Sequence, residues 1–339
     1  MIKLTFVVTN DRLRLYKNQN KFCFCARLAR RCLTAKIGCV STKVKTSFVF
    51  VLDLHYLCTM ILKEAIEQLR NGLAGVAEPQ EVQAMIRVIC EDIFNYDPVD
   101  VALRQESELP DFAEQRIADI IARLSRHEPL QYIVGTARFH GHRFKVTPAT
   151  LIPRPETEQL VDLIIDENPG SDLRVLDMGT GSGCIAISLA RALKFAQVDA
   201  LDISRDALAV ARENAAALKV KVRFFESDML APQPSSTYDI IVSNPPYICW
   251  SEREAMESNV KDYEPGQALF VPDNDPLLFY KAIAPYAAQS LVRGGKLYLE
   301  INQRFGAEVK RLLEENGFDE VRVIEDSYGK TRFVAAVSR

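Results

Sequence analysis

Hydrophobic positions change period along this chain of 339 residues. Between Met60 and Pro129 apolar residues recur every three or four positions, the spacing of one helix face. Ile61, Leu62, Ala65, Ile66 and Leu69 form a first stripe, and Val82, Met85, Ile86, Ile89 and Ile93 a second. Ile117, Ile120, Ile121 and Leu124 form a third, which stops before Pro129. Gly72, Gly75, Asn95 to Pro98 and Pro110 separate the stripes, so the pattern predicts a small helical bundle. Residues 136–150 then read as a hairpin between two domains, with Ala137 to His140 and Arg143 to Val146 flanking a Gly141 turn.

From Glu156 onward, helical stripes alternate with short apolar runs. Helices are predicted at 156–167, 184–194, 205–218, about 276–290 and 303–316. Strands are predicted at 174–178, 198–202, 221–226, 239–243, 296–301, 320–326 and 331–337. Alternation of this kind predicts an α/β fold with a mostly parallel sheet covered on both faces. Ser327-Tyr328-Gly329-Lys330 joins the last two strands and is short enough only for a hairpin, so one of them is antiparallel.

Two stretches between these elements carry chemistry. The run Tyr238 to Ser243 leads into Asn244-Pro245-Pro246-Tyr247, and two consecutive prolines cannot continue a strand. Backbone carbonyls there face something other than a ladder, beside the Asn244 amide oxygen and the flat Tyr247 ring. Two oxygen acceptors and a ring suit a planar NH2 group; the competing reading is a Pro-rich loop with a helix-capping Asn. The strand Arg174 to Met178 runs into Gly179-Thr180-Gly181-Ser182-Gly183 and then an apolar helix. Glycines there make a tight turn and let a ligand approach the helix N-terminus. The spacing is G-x-G-x-G, not the G-x-G-x-x-G that seats a dinucleotide. A second strand ends at Asp202, 19 residues after Gly183, about where an α/β site places the carboxylate for ribose hydroxyls. Its plainer alternative is an acid at a helix N-terminus. A third strand leads to Asp228 and Met229, a candidate adenine edge and lid. Asp177 lies close to the first turn, where it attracts a cation. Acids near the loop without a phosphate-binding Lys favour a positively charged cofactor over a polyphosphate. S-adenosylmethionine, a sulfonium on an adenosine, fits.

Residues 60–339 resemble the PrmC/HemK protein-(glutamine) methyltransferases. The matching stretches are Glu128-Pro129-Leu130-Gln131-Tyr132-Ile133-Val134-Gly135 and Leu151-Ile152-Pro153-Arg154-Pro155-Glu156-Thr157-Glu158. The glycine loop, Asn244 to Ile248, and Tyr298-Leu299-Glu300-Ile301 complete the set in the same order. The resemblance covers 280 of 339 residues (339 − 59 = 280). It implies a class I, Rossmann-like methyltransferase with a seven-stranded sheet and an N-terminal helical domain that helps hold a protein substrate. It implies methylation of the side-chain amide of the Gly-Gly-Gln glutamine in peptide chain release factors. By the same resemblance, Asn244 and the Pro245 carbonyl accept the two N–H bonds of that amide, Asn244 also borders the cofactor, Pro246 counts among the substrate-binding residues, and Tyr247 packs on the reacting group. The glycine loop approaches the methionine and ribose of the cofactor. Arg154 and Glu156 either shape the rim of the site or fix the start of the following helix. One stretch departs from the usual pattern: Val271-Pro272-Asp273-Asn274-Asp275-Pro276-Leu277-Leu278-Phe279-Tyr280-Lys281, a loop variant expected to lead into the same helix. The rivals are an amino-group methyltransferase acting on adenine or guanine, and a non-enzymatic S-adenosylmethionine-binding protein.

Composition narrows this further. Hydrophobic content of 48% with 26% charged residues is that of a soluble globular protein, and the length favours two domains. Residues 1–59 carry 11 Lys or Arg and 2 Asp, a net of +9; the rest carries 31 basic and 43 acidic residues, a net of −12. An acidic body argues against a nucleic-acid backbone as partner. The expected layout is an extension over 1–59, a helical domain over 60–135, a linking hairpin over 136–150 and a methyltransferase domain over 151–339. The extension is basic, faintly like a transit peptide, and is read as an over-extended start before Met60 or as disordered. Five of eight cysteines (Cys23, Cys25, Cys32, Cys39 and Cys58) lie there, and Cys23-x-Cys25 lacks zinc spacing. No metal is expected. Cys184 is either a packing residue or a thiol activated at a helix start. The chain is expected to work as a cytoplasmic monomer without a membrane.

Overall fold

The computed structural model describes residues 5–9, 12–17, 20–22, 60–232 and 236–339. Three strands, β1 (Thr5–Thr9), β2 (Arg12–Lys17) and β3 (Asn20–Phe22), form an antiparallel meander. The patterning of residues 1–59 did not predict them. Thr-Phe-Val-Val-Thr has high strand propensity but no alternation, so periodicity misses it. The remainder of that segment, on which the expected extension also rests, lies outside the described residues. By contacts this N-terminal part, with Glu108–Asp111, is one unit, and Leu62–Ser107 with Phe112–Arg339 is another.

Within the second unit, the predicted stripes become α1 (Leu62–Gly72), α2 (Pro79–Phe94) and α4 (Ala113–Leu124). Their buried faces are Leu62, Ala65 and Leu69, then Val82, Ile86 and Ile89, then Ile117, Ile120 and Leu124. A Cβ at Gly72 would lie 2.5 Å from Ile121 Cδ1, so glycine sets how closely α1 approaches α4. Two short helices escaped the patterning, α3 (Pro98–Leu103) and α5 (Leu130–Val134). Asn95 to Pro98 ends α2, as expected, but it also starts α3. Asn95 takes the left-handed conformation after α2, and the Asp97 side chain caps α3 by accepting from Asp100 N at 2.7 Å.

Strands β4 (Thr136–Phe139) and β5 (His142–Lys145) form the expected hairpin. His140 (φ 47°) and Gly141 (φ 73°) both have the positive φ of a two-residue primed turn. Phe139 and Phe144 are fully buried in the core of the sheet, while Arg143 pairs with Asp92 of α2 at 2.6 Å. The hairpin thus joins bundle to sheet with one apolar and one charged side.

The rest builds one seven-stranded sheet. Its elements are α6 (Pro155–Glu167), β6 (Arg174–Met178), α7 (Cys184–Ala192), β7 (Gln197–Asp202), α8 (Arg205–Ala217), β8 (Val222–Glu226) and β9 (Tyr238–Ser243). A two-stranded parallel pair, β10 (Ile248–Cys249) and β11 (Phe270–Val271), brackets a short helix, α9 (Ser258–Lys261). Then come α10 (Leu278–Ser290), β12 (Leu291–Glu300), α11 (Gly306–Glu315), β13 (Phe318–Glu325) and β14 (Thr331–Ser338). Strand order is β13-β14-β12-β9-β6-β7-β8. The pairs β12–β9, β9–β6, β6–β7 and β7–β8 are parallel, and β14 runs antiparallel to both β12 and β13. The antiparallel member is therefore β14, inserted between its hairpin partner and β12. Strand β12 starts five residues earlier than the predicted 296, because its ladder with β9 shifts register between Leu291 and Lys296.

Side chains alternate across the sheet. Val175 and Tyr298 enter one core with Leu160, Val161 and Ile185 of α6 and α7; Leu176, Leu297 and Leu299 enter the other with Ile283 and Leu313 of α10 and α11. The strand order reverses between β6 and β9, the point at which open α/β sheets leave a crevice beyond their C-terminal strand ends.

Candidate active site

Both predicted motifs meet at that crevice. Met178 and Ser243 are register partners at the ends of β6 and β9, and Ser243 Oγ donates to Met178 O at 2.6 Å. The glycine loop and Asn244 therefore leave the sheet side by side.

The loop is held from below and from the side. Gly179, Gly181 and Gly183 have φ of 80°, 56° and 82°, a region that disfavours any side chain. Gly179 N and Thr180 N both donate to Leu201 O at 2.9 Å, tying the loop to β7. Asp177 is fully buried beneath it, where its Oδ2 accepts from Thr180 Oγ1 at 2.6 Å and Ala186 N at 3.2 Å. Burial pushes its carboxyl up to about 7, against the pull of those two donors. Asp177 thus reaches the crevice through its field and the loop it shapes, its oxygens lying under the backbone. Ser182 is buried as well, and Thr180 spends its hydroxyl on Asp177.

Asp202 ends β7 beside the loop and is partly exposed. Its Oδ2 accepts from Gly181 N and its Oδ1 from Ser204 N, each at 2.9 Å. Burial raises its carboxyl, and the backbone donors oppose that rise. Each oxygen keeps a lone pair for an outside hydroxyl. Asp228 is exposed and turns its Oδ1 back onto Leu230 N at 2.8 Å. Met229 covers the loop: a Cβ on Gly179 would stand 2.5 Å from Met229 Cε. Ile203 and Leu230 remain exposed at this end of the sheet, apolar surface of the kind a flat base covers.

On the other side, Asn244, Pro245, Tyr247 and Ile248 line a pocket of about 70 Å³ with Leu151, Arg154, Val260, Ala268 and Leu269. Asn244 Nδ2 donates to Thr157 Oγ1 at 3.3 Å, and Thr157 Oγ1 donates to Glu300 Oε2 at 2.7 Å. Tyr247 OH donates to the other oxygen, Glu300 Oε1, at 2.9 Å. Tyr247 therefore buries its polar end and leaves its ring at the pocket. Burial raises the Glu300 carboxyl, and the bonds from Thr157 and Tyr247 and the charge of Arg332 pull it back. Tyr280 OH donates to the Glu300 carbonyl at 3.1 Å, so the variant stretch 271–281 leads into α10 with its tyrosine pinned as expected. Among the described residues, no donor meets the Pro245 carbonyl. Pro246 is buried and lies outside the pocket lining.

Arg154 does both things its position allowed. It occupies the N-cap of α6 and lines the pocket, where it pairs with buried Glu264, whose Oε2 also accepts from Ile152 N at 3.0 Å. Glu156 lies in the first turn of α6 and takes no part in the lining. His140 and His142 serve the hairpin surface, bonded to Asp162 at 3.0 Å and Arg191 at 2.9 Å. Burial pushes the Cys184 thiol up to about 12, so it is a packing residue, not an activated nucleophile. Among the described residues no cluster of His, Cys, Asp or Glu could hold a metal ion. A larger depression of about 380 Å³, lined by Arg191, Lys219 and Lys221 among others, opens beside the N-terminal ends of β7 and β8, away from the site.

Val260, Ala268 and Leu269 were not singled out by sequence reasoning, and Leu151, Thr157 and Glu300 were noted only as parts of motifs. Thr157 and Glu300 bond across 143 positions, a pairing that no local pattern reveals.

Comparison with known proteins gives the family. Residues 61–135 match the PrmC N-terminal domain, and residues 156–260 match the methyltransferase small domain. A protein named release factor glutamine methyltransferase from Bacteroides thetaiotaomicron is 48% identical over 270 residues, covering 79% of this chain and 97% of that protein. The protein of that name from Flavobacterium psychrophilum is 41% identical, covering 81% of this chain and 98% of its own length. The one from Lactococcus lactis is 39% identical, with 80% and 98% covered. The chain belongs to the release factor glutamine methyltransferase family.

Proposed function

We propose that this protein transfers a methyl group from S-adenosylmethionine to the side-chain amide nitrogen of the glutamine in the Gly-Gly-Gln motif of peptide chain release factors. The observation that carries the reading is the pair of unspent acceptors at the end of β9. The Pro245 carbonyl has no donor within the described residues, and the Asn244 amide uses only its Nδ2 on the protein.

S-adenosylmethionine fits the residues of the crevice. The loop offers open space above Gly181 and contains no Lys or Arg to neutralise a polyphosphate. Two carboxyls, Asp177 and Asp202, stand beneath and beside it and favour a cation. Asp202 would hold the ribose hydroxyls, Asp228 and Met229 would flank the adenine, and Gly179 to Gly183 would border the methionine and ribose. When bound, the cofactor supplies a methyl group on a positively charged sulfur.

The chain's own task is to present a poor nucleophile correctly. An amide nitrogen delocalises its lone pair into its carbonyl, so both N–H bonds must be held and the lone pair aimed out of the amide plane. Asn244 Oδ1 and Pro245 O accept the two N–H bonds, and the Tyr247 ring closes the pocket against water. Orientation of this kind lowers a barrier by up to roughly 7–11 kcal/mol. No general base is needed before transfer, because the nitrogen loses its extra proton to solvent afterwards. Action as a monomer is part of the proposal. The substrate class supports a cytoplasmic location, and no helix among the described residues is long and apolar enough to cross a membrane. Residues 60–135 would grip the release factor, with 136–150 linking them to the catalytic domain over 151–339.

The test separates this from methylation of nucleic acid. Labelled cofactor is offered with purified release factor, with ribosomal RNA and with DNA. Label in the release factor alone is expected; label in either nucleic acid and none in the protein contradicts the reading.

A further inference from the structure

We infer that Thr157, its hydroxyl directed by Glu300, is a positioning residue that fixes which end of the Asn244 amide faces the substrate. The inference rests on the amide-methylation reading above. An Asn side chain can be turned over with almost no change in shape, and only its hydrogen-bond partners decide where the oxygen lies. Here the partners decide it while Glu300 is ionised. Glu300 is fully buried, and as a carboxylate it can only accept. Tyr247 OH satisfies its Oε1 at 2.9 Å and Thr157 Oγ1 its Oε2 at 2.7 Å.

Thr157 has a single hydroxyl hydrogen. Once that hydrogen is given to Glu300, Oγ1 can only accept from Asn244. Asn244 must then turn its Nδ2 inward, to Thr157 at 3.3 Å, and its Oδ1 outward to the pocket. A substrate NH2 group needs an acceptor there, and an overturned Asn244 would face it with a second donor. Arg332 lies close enough to favour the charged form of Glu300, while Glu156 opposes it. Thr157 is itself 2% exposed and sits in the first turns of α6, so it lies behind Asn244 and acts through it. One carboxylate thereby sets both sides of the pocket, the Tyr247 ring through Oε1 and the Asn244 amide through Oε2.

A double-mutant cycle tests this, because a positioning residue acts only while the group it positions is present. Thr157→Val keeps the shape and removes the hydroxyl. In the full-length protein it should lower kcat on release factor about tenfold to a hundredfold, the scale of a displaced catalytic group. The cofactor Kd and the KM for release factor should hold, and Thr157→Ser should recover most of the loss. Combined with Asn244→Ala, the valine should cost nothing further. Equal losses in kcat with and without Asn244, or no loss in its presence, would overturn the inference. Should the valine variant fail to fold, judged by its melting curve, Thr157→Ala carries the same cycle. Absence of methylation by the unmodified protein would instead refute the underlying reading, so the two failures are distinct.

Discussion

Asn244→Ala isolates the acceptor at the heart of the site. The substitution removes Oδ1, which has no partner in the protein, and Nδ2, whose bond to Thr157 is long at 3.3 Å. Thr157 keeps its bond to Glu300 at 2.7 Å, so no buried group loses its only partner. A neutral hydrogen bond contributes about 0.5–1.5 kcal/mol net, which puts the stability loss near the lower end of that range. The glycine loop is anchored by Leu201 and Asp202, neither of which involves Asn244. Cofactor affinity should therefore hold. The rate should not, since removing one positioned transition-state partner typically costs about 10²–10³, or roughly 3–4 kcal/mol. Single-turnover kinetics with excess enzyme, read by mass spectrometry, give the rate; calorimetry gives the cofactor Kd and a thermal melt the stability. A rate close to that of the unmodified protein would refute the assignment, and so would a loss that appears in the cofactor Kd and not in kcat.

Three further outcomes follow from the same geometry. Asp202→Ala should weaken cofactor binding by about ten- to 150-fold, the equivalent of roughly 1.5–3 kcal/mol for a charged hydrogen bond, with turnover recoverable at saturating cofactor; an unchanged Kd by calorimetry would place the ribose elsewhere. The Asp177 carboxyl is raised from 3.8 to about 7, so the folded protein binds a proton over that window which the unfolded chain has released. Its share of stability is therefore full below 3.8 and lost as pH rises towards about 7. Denaturant titrations should show Asp177→Asn gaining on the unmodified protein across that window, and a constant difference would contradict the burial argument. Residues 60–339 alone should methylate as well as the full chain, because the matched 270 residues span 97% of the Bacteroides protein; loss of activity in steady-state assays would give residues 1–59 a role.

Much of the fold is legible because it rests on local rules. Apolar spacing locates α1, α2 and α4, and the loop Ser327 to Lys330 forces an antiparallel pair. It cannot say that β14 wedges between β13 and β12, since that depends on which edge remains open after the sheet has formed. Helix α3 is six residues long, too short for a period to show, and is set by the Asp97 cap. At the site, glycines and prolines are conspicuous because each removes a conformational option. Thr157 and Glu300 look like ordinary helix and strand residues until folding brings them together. Asp177 shows the same limit: its spacing marks it as near the loop, but only the fold tells that its oxygens lie under the backbone.

The most direct measurement is tandem mass spectrometry of the Gly-Gly-Gln peptide from a purified release factor incubated with this protein and S-adenosylmethionine. A gain of one CH2 located on the glutamine side-chain nitrogen is expected, absent when the Asn244→Ala variant is used for the same time. An unmodified glutamine, or a methyl group on any other residue, would contradict it.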